Sequence, residues 1–168
     1  KKAMGGILFI DEAYSLARGG EKDFGKEAID TLVKQMEDQQ HDFILILAGY
    51  SYEMDHFLSV NPGLPSRFPI LISFPDYKVH ELMKITKKMI AERDYLLTVE
   101  AEQKIEQHLN AVKSQKKTSF SNGRYVRNLI EKAVRNQSVR LLREGDHDKE
   151  RLLTLREEDF QLAETVLT

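Results

Sequence analysis

The 168 residues are 41% hydrophobic and 31% charged, carry a net charge of −2 and include no Cys. That balance belongs to a folded chain of one domain, or a core with a small satellite, and speaks against disorder. Disulfides and thiolate metal sites are excluded, which makes a reducing, cytoplasmic setting the expectation. No apolar run reaches the ~20 residues a bilayer crossing needs, and the near-neutral charge gives no case for nucleic acid or an anionic membrane as partner.

The chain opens on Lys1-Lys2-Ala3-Met4-Gly5-Gly6 and enters a continuous apolar run, Ile7-Leu8-Phe9-Ile10, closed by Asp11-Glu12. A second run, Phe43 to Ala48, ends at Gly49, and a third, Ile70 to Phe74, lies between Pro69 and Pro75. Runs without alternation are the signature of strands covered on both faces. Between the first two, Ala28, Ile29, Leu32, Val33 and Met36 recur at helical spacing, and a shorter helix is expected over Glu53 to Leu58. Strand and helix in alternation predict a partial, doubly wound parallel α/β sheet.

Beyond Asp76 the pattern becomes helical. Val79, Leu82, Ile85, Met89 and Ile90 predict one helix, Ala101, Ile105, Leu109 and Val112 a second, and Val126 to Leu141 a longer third. Ser114 to Ser121 is expected as a loop and Gly145 to Lys149 as a turn. Leu152-Leu153 reads as a short strand. Thr154-Leu155-Arg156-Glu157 matches a capping box that would start a last helix through Phe160, Ala163 and Val166. The charge divides with the pattern. Residues 1–76 hold 7 Lys/Arg against 12 Asp/Glu, and residues 77–168 hold 18 against 15. Two domains follow, 1–76 and 77–168.

Three motifs could carry chemistry. A strand ending in Asp11-Glu12 places two carboxylates at the C-terminal edge of a parallel sheet, where open α/β folds bind ligands. Asp11 suits Mg²⁺, usually through water, and Glu12 suits activation of an attacking water; an acidic helix start is the plainer alternative. In Asn61-Pro62-Gly63-Leu64-Pro65-Ser66-Arg67-Phe68-Pro69 a short loop offers Arg67, whose permanent charge can neutralise a transferring phosphoryl group. The alternative is an arginine that caps a helix or pairs with a surface carboxylate. In Asn122-Gly123-Arg124-Tyr125-Val126-Arg127-Asn128, Arg124 and Arg127 lie three apart at a helix start, an anion site or a solvated basic face.

Gly20 to Glu27 nearly fits the phosphate-loop pattern G-x-x-x-x-G-K-[ST], but Glu27 replaces the hydroxyl that meets Mg²⁺ and no strand leads into it. The segment is expected to be a loop and helix start. The five His show no close ligand pair, and Ser15, Ser51 and Ser66 have no evident base. No basic–aromatic stripe supports nucleic-acid binding.

Together and in this order, the acidic strand end, the Gly-Leu-x-Ser-Arg-Phe loop and the Gly-Arg-x-Val-Arg-Asn helix start resemble the AAA+ ATPases. More narrowly they are similar to the CbbX-like group and its sporulation-related branch, along nearly the whole chain and most specifically at Gly5 to Ala17, Leu45 to Tyr50 and Gly123 to Asn128. The resemblance implies that Asp11 and Glu12 are the Walker B pair and that Arg67 is an arginine finger reaching a neighbouring subunit. It implies that Arg124, or less directly Arg127, is the sensor 2 residue in a lid formed by residues 77–168. It also implies that Ser15 to Phe24 faces a central pore. The polar sensor 1 position departs from the wider pattern, and Tyr50 in Gly49-Tyr50-Ser51 is the candidate. The phosphate-binding loop, the first strands and the main pore loop are expected before Lys1. ATP and Mg²⁺ are the implied cofactors, and a homo-oligomer, by family a hexameric ring acting on a protein substrate, is the implied assembly. Two other readings stand beside it: a non-catalytic binding and oligomerisation module of the same fold, and a Rubisco-linked activator of the CbbX kind.

Overall fold

A computed structural model describes residues 3–17, 24–38, 42–60, 63–114, 120–145 and 148–162. The chain divides into two compact units at the Phe74–Pro75 junction.

In the first unit, β1 (Gly6–Ile10) is followed by a 3-10 turn (Ala13–Ala17), α1 (Gly25–Asp38), β2 (Phe43–Leu47), α2 (Ser51–Val60) and the single-turn α3 (Leu64–Arg67). β1 and β2 pair in parallel, Ile7 opposite Ile44 and Phe9 opposite Ile46, with α1 between them in sequence. The ladder continues past the strand ends: Ala48 N–H donates to the Ile10 carbonyl at 2.9 Å, and Ala13 N–H to the Ala48 carbonyl at 3.0 Å. Tyr14, Ile29, Phe57 and Leu64 form the buried centre, with Leu16, Val33, Leu47, Met54, Leu58 and Phe68 packed around it. One sheet face therefore looks onto this core. On the other, Ile7, Phe9, Ile44 and Ile46 remain exposed, so the strands are apolar on both faces and covered on one.

The predicted third strand is absent. Ile70, Leu71, Ile72 and Phe74 are 70 to 90% exposed and take no strand conformation. A strand exists only through a hydrogen-bonded neighbour, and among the described residues none pairs with this run. The loop expected to present Arg67 is instead a helical turn with Pro65 in its first positions, where a missing N–H removes no helix bond. The rejected phosphate-loop candidate lies partly outside the described residues. Its Gly25 begins α1, and a Cβ there would stand 2.0 Å from the Leu16 carbonyl oxygen. That glycine permits α1 to close on the 3-10 turn.

The second unit comprises α4 (Val79–Ala91), β3 (Leu96–Leu97), α5 (Val99–Ser114), α6 (Asn122–Glu144), α7 (Lys149–Leu153), β4 (Thr154–Leu155) and a 3-10 turn (Glu157–Asp159). Leu82 and Ile90 of α4, Ala101, Ile105 and Leu109 of α5, and Val126, Ile130 and Ala133 of α6 build its core with Leu155 and Phe160. α4 starts where Glu81 accepts the Lys78 N–H at 2.7 Å. α6 stops at Gly145, whose φ of 66° lets its N–H return to the Leu141 carbonyl.

The chain end differs from expectation. Leu152 and Leu153 close α7, and the strand is the next pair, Thr154–Leu155, lying parallel to Leu96–Leu97. The Thr154 hydroxyl donates back to the Glu150 carbonyl at 2.7 Å and caps nothing ahead of it. Two residues later, Asp159 accepts the Arg156 N–H at 2.8 Å and sets a 3-10 turn where a helix was expected. Residues 163–168, where that helix would continue, lie outside the described residues, as does most of the expected Ser114 to Ser121 loop. No helix among the described residues is long and apolar enough to cross a membrane.

Candidate functional site

β1 delivers its last residue, Ile10, to the edge where both parallel strands end, and Asp11 and Glu12 follow there, exposed. The Asp11 Oδ1 accepts the Glu12 N–H at 3.0 Å. Glu12 has φ 48°, in the left-handed region that a residue bearing a Cβ rarely adopts. Such backbone persists where its surroundings over-determine it, and here they do. The Ile10 carbonyl before it and the Ala13 N–H after it are both fixed by Ala48. The two carboxylates are therefore presented at a set point on the sheet edge.

β2 ends at the same edge and leads through Ala48-Gly49-Tyr50 into α2. Tyr50 is 64% exposed, and its ring centroid stands 6.5 Å from that of buried Tyr14. Asp11, Glu12 and Tyr50 thus share one edge. Among the described residues no three His, Asp or Glu side chains gather into a metal cage. Mg²⁺ bound between phosphate oxygens and water asks for only one or two protein carboxylates. Asp11 meets that requirement, since its second carboxylate oxygen accepts no hydrogen bond among the described residues. The donor set fits the ion.

Arg67 lies elsewhere in the unit. Its Nη1 donates to the Gly63 carbonyl at 2.6 Å, and its Nη2 is ion-paired with Glu37 of α1. Its Nε is buried with no partner among the described residues. Glu37 sits in the last turn of α1, which leads toward the start of β2, the edge opposite Asp11 and Glu12. Arg67 therefore joins Glu37 and makes no contact with Asp11 or Glu12 among the described residues. Sequence reasoning missed Glu37, although Glu37-Asp38 at a helix C-terminus was a signal: the helix dipole disfavours anions there unless a cation answers them.

Arg124 and Arg127 stand exposed on the first turns of α6 in the second unit. Neither enters an ion pair among the described residues. α6 begins at Asn122, with φ 43°, whose side chain bridges the Tyr77 N–H at 3.1 Å and the Asp76 carboxylate at 2.6 Å.

A parallel pair of strands with an acidic pair at its carboxyl edge, followed by a separate helical unit, places the chain in the α/β class with an appended helical domain. The chain belongs to the AAA family: residues 1–76 match the ATPase family associated with various cellular activities (AAA), and residues 78–167 match the AAA lid domain. It is 65% identical over 165 residues to Stage V sporulation protein K of Bacillus subtilis (strain 168), an alignment covering 98% of this chain and 51% of the relative. It is 45% identical over 163 residues to Protein CfxQ of Xanthobacter flavus, covering 96% and 51%, and 41% identical over 164 residues to Protein CbbX of Cereibacter sphaeroides, covering 96% and 52%. The chain spans about half the length of these relatives.

Proposed function

We propose that this chain is the Walker B to lid portion of an ATP-hydrolysing AAA+ remodelling protein. Residues 1–76 are the C-terminal part of its nucleotide-binding core, and residues 77–168 its lid. The observation that carries the reading is the Asp11-Glu12 pair, held at the carboxyl edge of β1 by a left-handed Glu12 clamped between two Ala48 hydrogen bonds. Asp11 would hold Mg²⁺, which when bound neutralises charge on the phosphates. Glu12 orients and polarises the attacking water. Arg67 serves a neighbouring copy, a role supported by its pairing with Glu37 and not with Asp11 or Glu12 of its own unit. Arg124, with Arg127 behind it, offers a guanidinium to the γ-phosphate from the lid, and Tyr50 takes the sensor position at the end of β2. The assembly is a homo-oligomeric ring, hexameric by family habit, acting on a protein. The likeness to a protein named for stage V of sporulation supports a sporulation setting, and the likeness to CbbX an alternative partner class.

In the full-length gene product, Glu12→Gln is expected to keep ATP binding and to slow turnover about a hundredfold or more, read as steady-state phosphate release beside nucleotide affinity. Unchanged turnover would remove Glu12 from the chemistry. One observation favours a second reading, a binding and oligomerisation module without catalysis: Arg67 is already engaged within its own unit. A full-length protein that assembles and binds ATP but releases no phosphate, with Arg67→Ala leaving assembly unchanged, would select it.

A further inference from the structure

The seat of Arg67 has three features that an ordinary surface ion pair does not need. Nη1 reaches the Gly63 carbonyl at 2.6 Å, and Nη2 meets the Glu37 carboxylate across 30 residues of sequence. A Cβ at position 63 would lie 2.5 Å from Nη1, so a side chain there would displace the guanidinium from this seat. The buried Nε–H is left without an acceptor among the described residues, a cost that a folded chain normally avoids and that recurs where function demands a fixed geometry. An exposed pair stabilises little by itself, and Glu37 is 52% exposed. Stability alone therefore gives a weak reason for so fitted a slot.

A guanidinium has five N–H donors in a rigid fork. Two are taken by Gly63 and Glu37 and the Nε–H is buried, which leaves one N–H on each terminal nitrogen. The side chain keeps 27% exposure, so it is gripped along one side and still accessible on the other. This is the arrangement by which supporting groups hold a functional side chain ready before its target arrives. α1 is the rigid element that brings Glu37 to it.

We infer that Glu37 is a positioning residue for Arg67: together with the Gly63 carbonyl it fixes the orientation in which Arg67 presents its free N–H donors to the phosphoryl group of a second copy. This rests on the reading of Arg67 as acting in trans. The effect of the Glu37 carboxylate passes through the guanidinium alone.

The test is a double-mutant cycle in the full-length protein. Turnover is measured as phosphate release, KM for ATP is taken from the same curves, and folding is monitored by thermal unfolding. Glu37→Gln is expected to lower kcat between about tenfold and about a hundredfold, with KM for ATP and the unfolding midpoint little changed. Glu37→Asp is expected to recover part of the loss. In the Arg67→Ala background, Glu37→Gln should have no further effect, since nothing remains to be oriented. A severe Arg67→Ala protein beside an unaffected Glu37→Gln protein overturns the positioning role and leaves the trans-acting arginine intact. Losses that multiply in the double variant overturn it as well. Parent-level turnover in Arg67→Ala alone would instead remove the functional reading beneath it.

Discussion

His108 of α5 places its Nε2 2.5 Å from the Tyr125 hydroxyl of α6, the two rings stacked with centroids 6.0 Å apart. Burial lowers the His108 pKa below its usual 6.5, because desolvation penalises the imidazolium, and the same burial raises the Tyr125 phenol. The consequence has a definite sign. Near pH 6.5 and below, the unfolded chain takes a proton that the folded chain resists. The contribution is complete above the unfolded pKa and is lost as pH falls through the folded one. Urea unfolding followed from pH 7.5 to pH 5 should therefore show the helical unit weakening toward acid, and His108→Phe should flatten that part of the slope. A midpoint insensitive to pH in the parent would contradict it. The residue scale also shows what spacing conveys and what it leaves out. Asp11 and Glu12 could be placed from sequence because an apolar run ending in two acids has one natural location, a strand end. Glu37 could not be joined to Arg67, since their meeting depends on where α1 and α3 come to rest.

At the level of elements, a polar knot closes the second unit. Arg140 of α6 grips the buried Asp159 with Nε at 2.9 Å and Nη2 at 3.0 Å. Asn136 donates to the Asp159 carbonyl at 2.7 Å, and the Gln137 amide donates to the carbonyls of Leu152 and Thr154. The carboxylate raises the Arg140 pKa, chiefly through their hydrogen bond, so the guanidinium stays charged. Glu144 and Glu158 also stand 3.3 and 3.6 Å from the Arg140 guanidinium, so removing Asp159 leaves the charge partly answered and costs roughly 1.5 to 3 kcal/mol, the worth of a charge-assisted hydrogen bond. Asp159→Ala is thus expected to destabilise the unit by about that amount and to release hydrogen-exchange protection over β4 and the 3-10 turn. The helices α1, α4, α5 and α6 were legible because their apolar residues repeat at one clear period over several turns. The Leu152 to Glu157 stretch was not, since a few apolar residues fit a helix end and a strand equally well and only the side chains of α6 decide between them. The run at Ile70 to Phe74 failed for a different reason: hydrophobicity says that a segment suits burial, and says nothing of whether a neighbour is there to pair with it.

For the molecule as a whole, the sheet face formed by Ile7, Phe9, Ile44 and Ile46 and, separately, the apolar stretch from Ile70 to Phe74 leave much apolar surface uncovered. Surfaces of this kind associate. The 168-residue chain alone is expected to self-associate in light scattering, and Phe9→Lys with Ile46→Lys, opposite each other in register, should shift it toward monomer. A clean monomer from the parent chain would show that the face is tolerated in water.

The two-residue pairing of β3 with β4 also bears on how the protein is made. Thr154 and Leu155 join Leu96 and Leu97, partners separated by roughly 60 residues, and such long-range closures come late in folding. During synthesis α4, α5 and α6 leave the ribosome first. Their apolar faces then wait for Leu155 and Phe160, which follow all three helices along the chain. A premature stop after Leu153 would leave the core between α4, α5 and α6 open, a nascent species marked for chaperones and proteases.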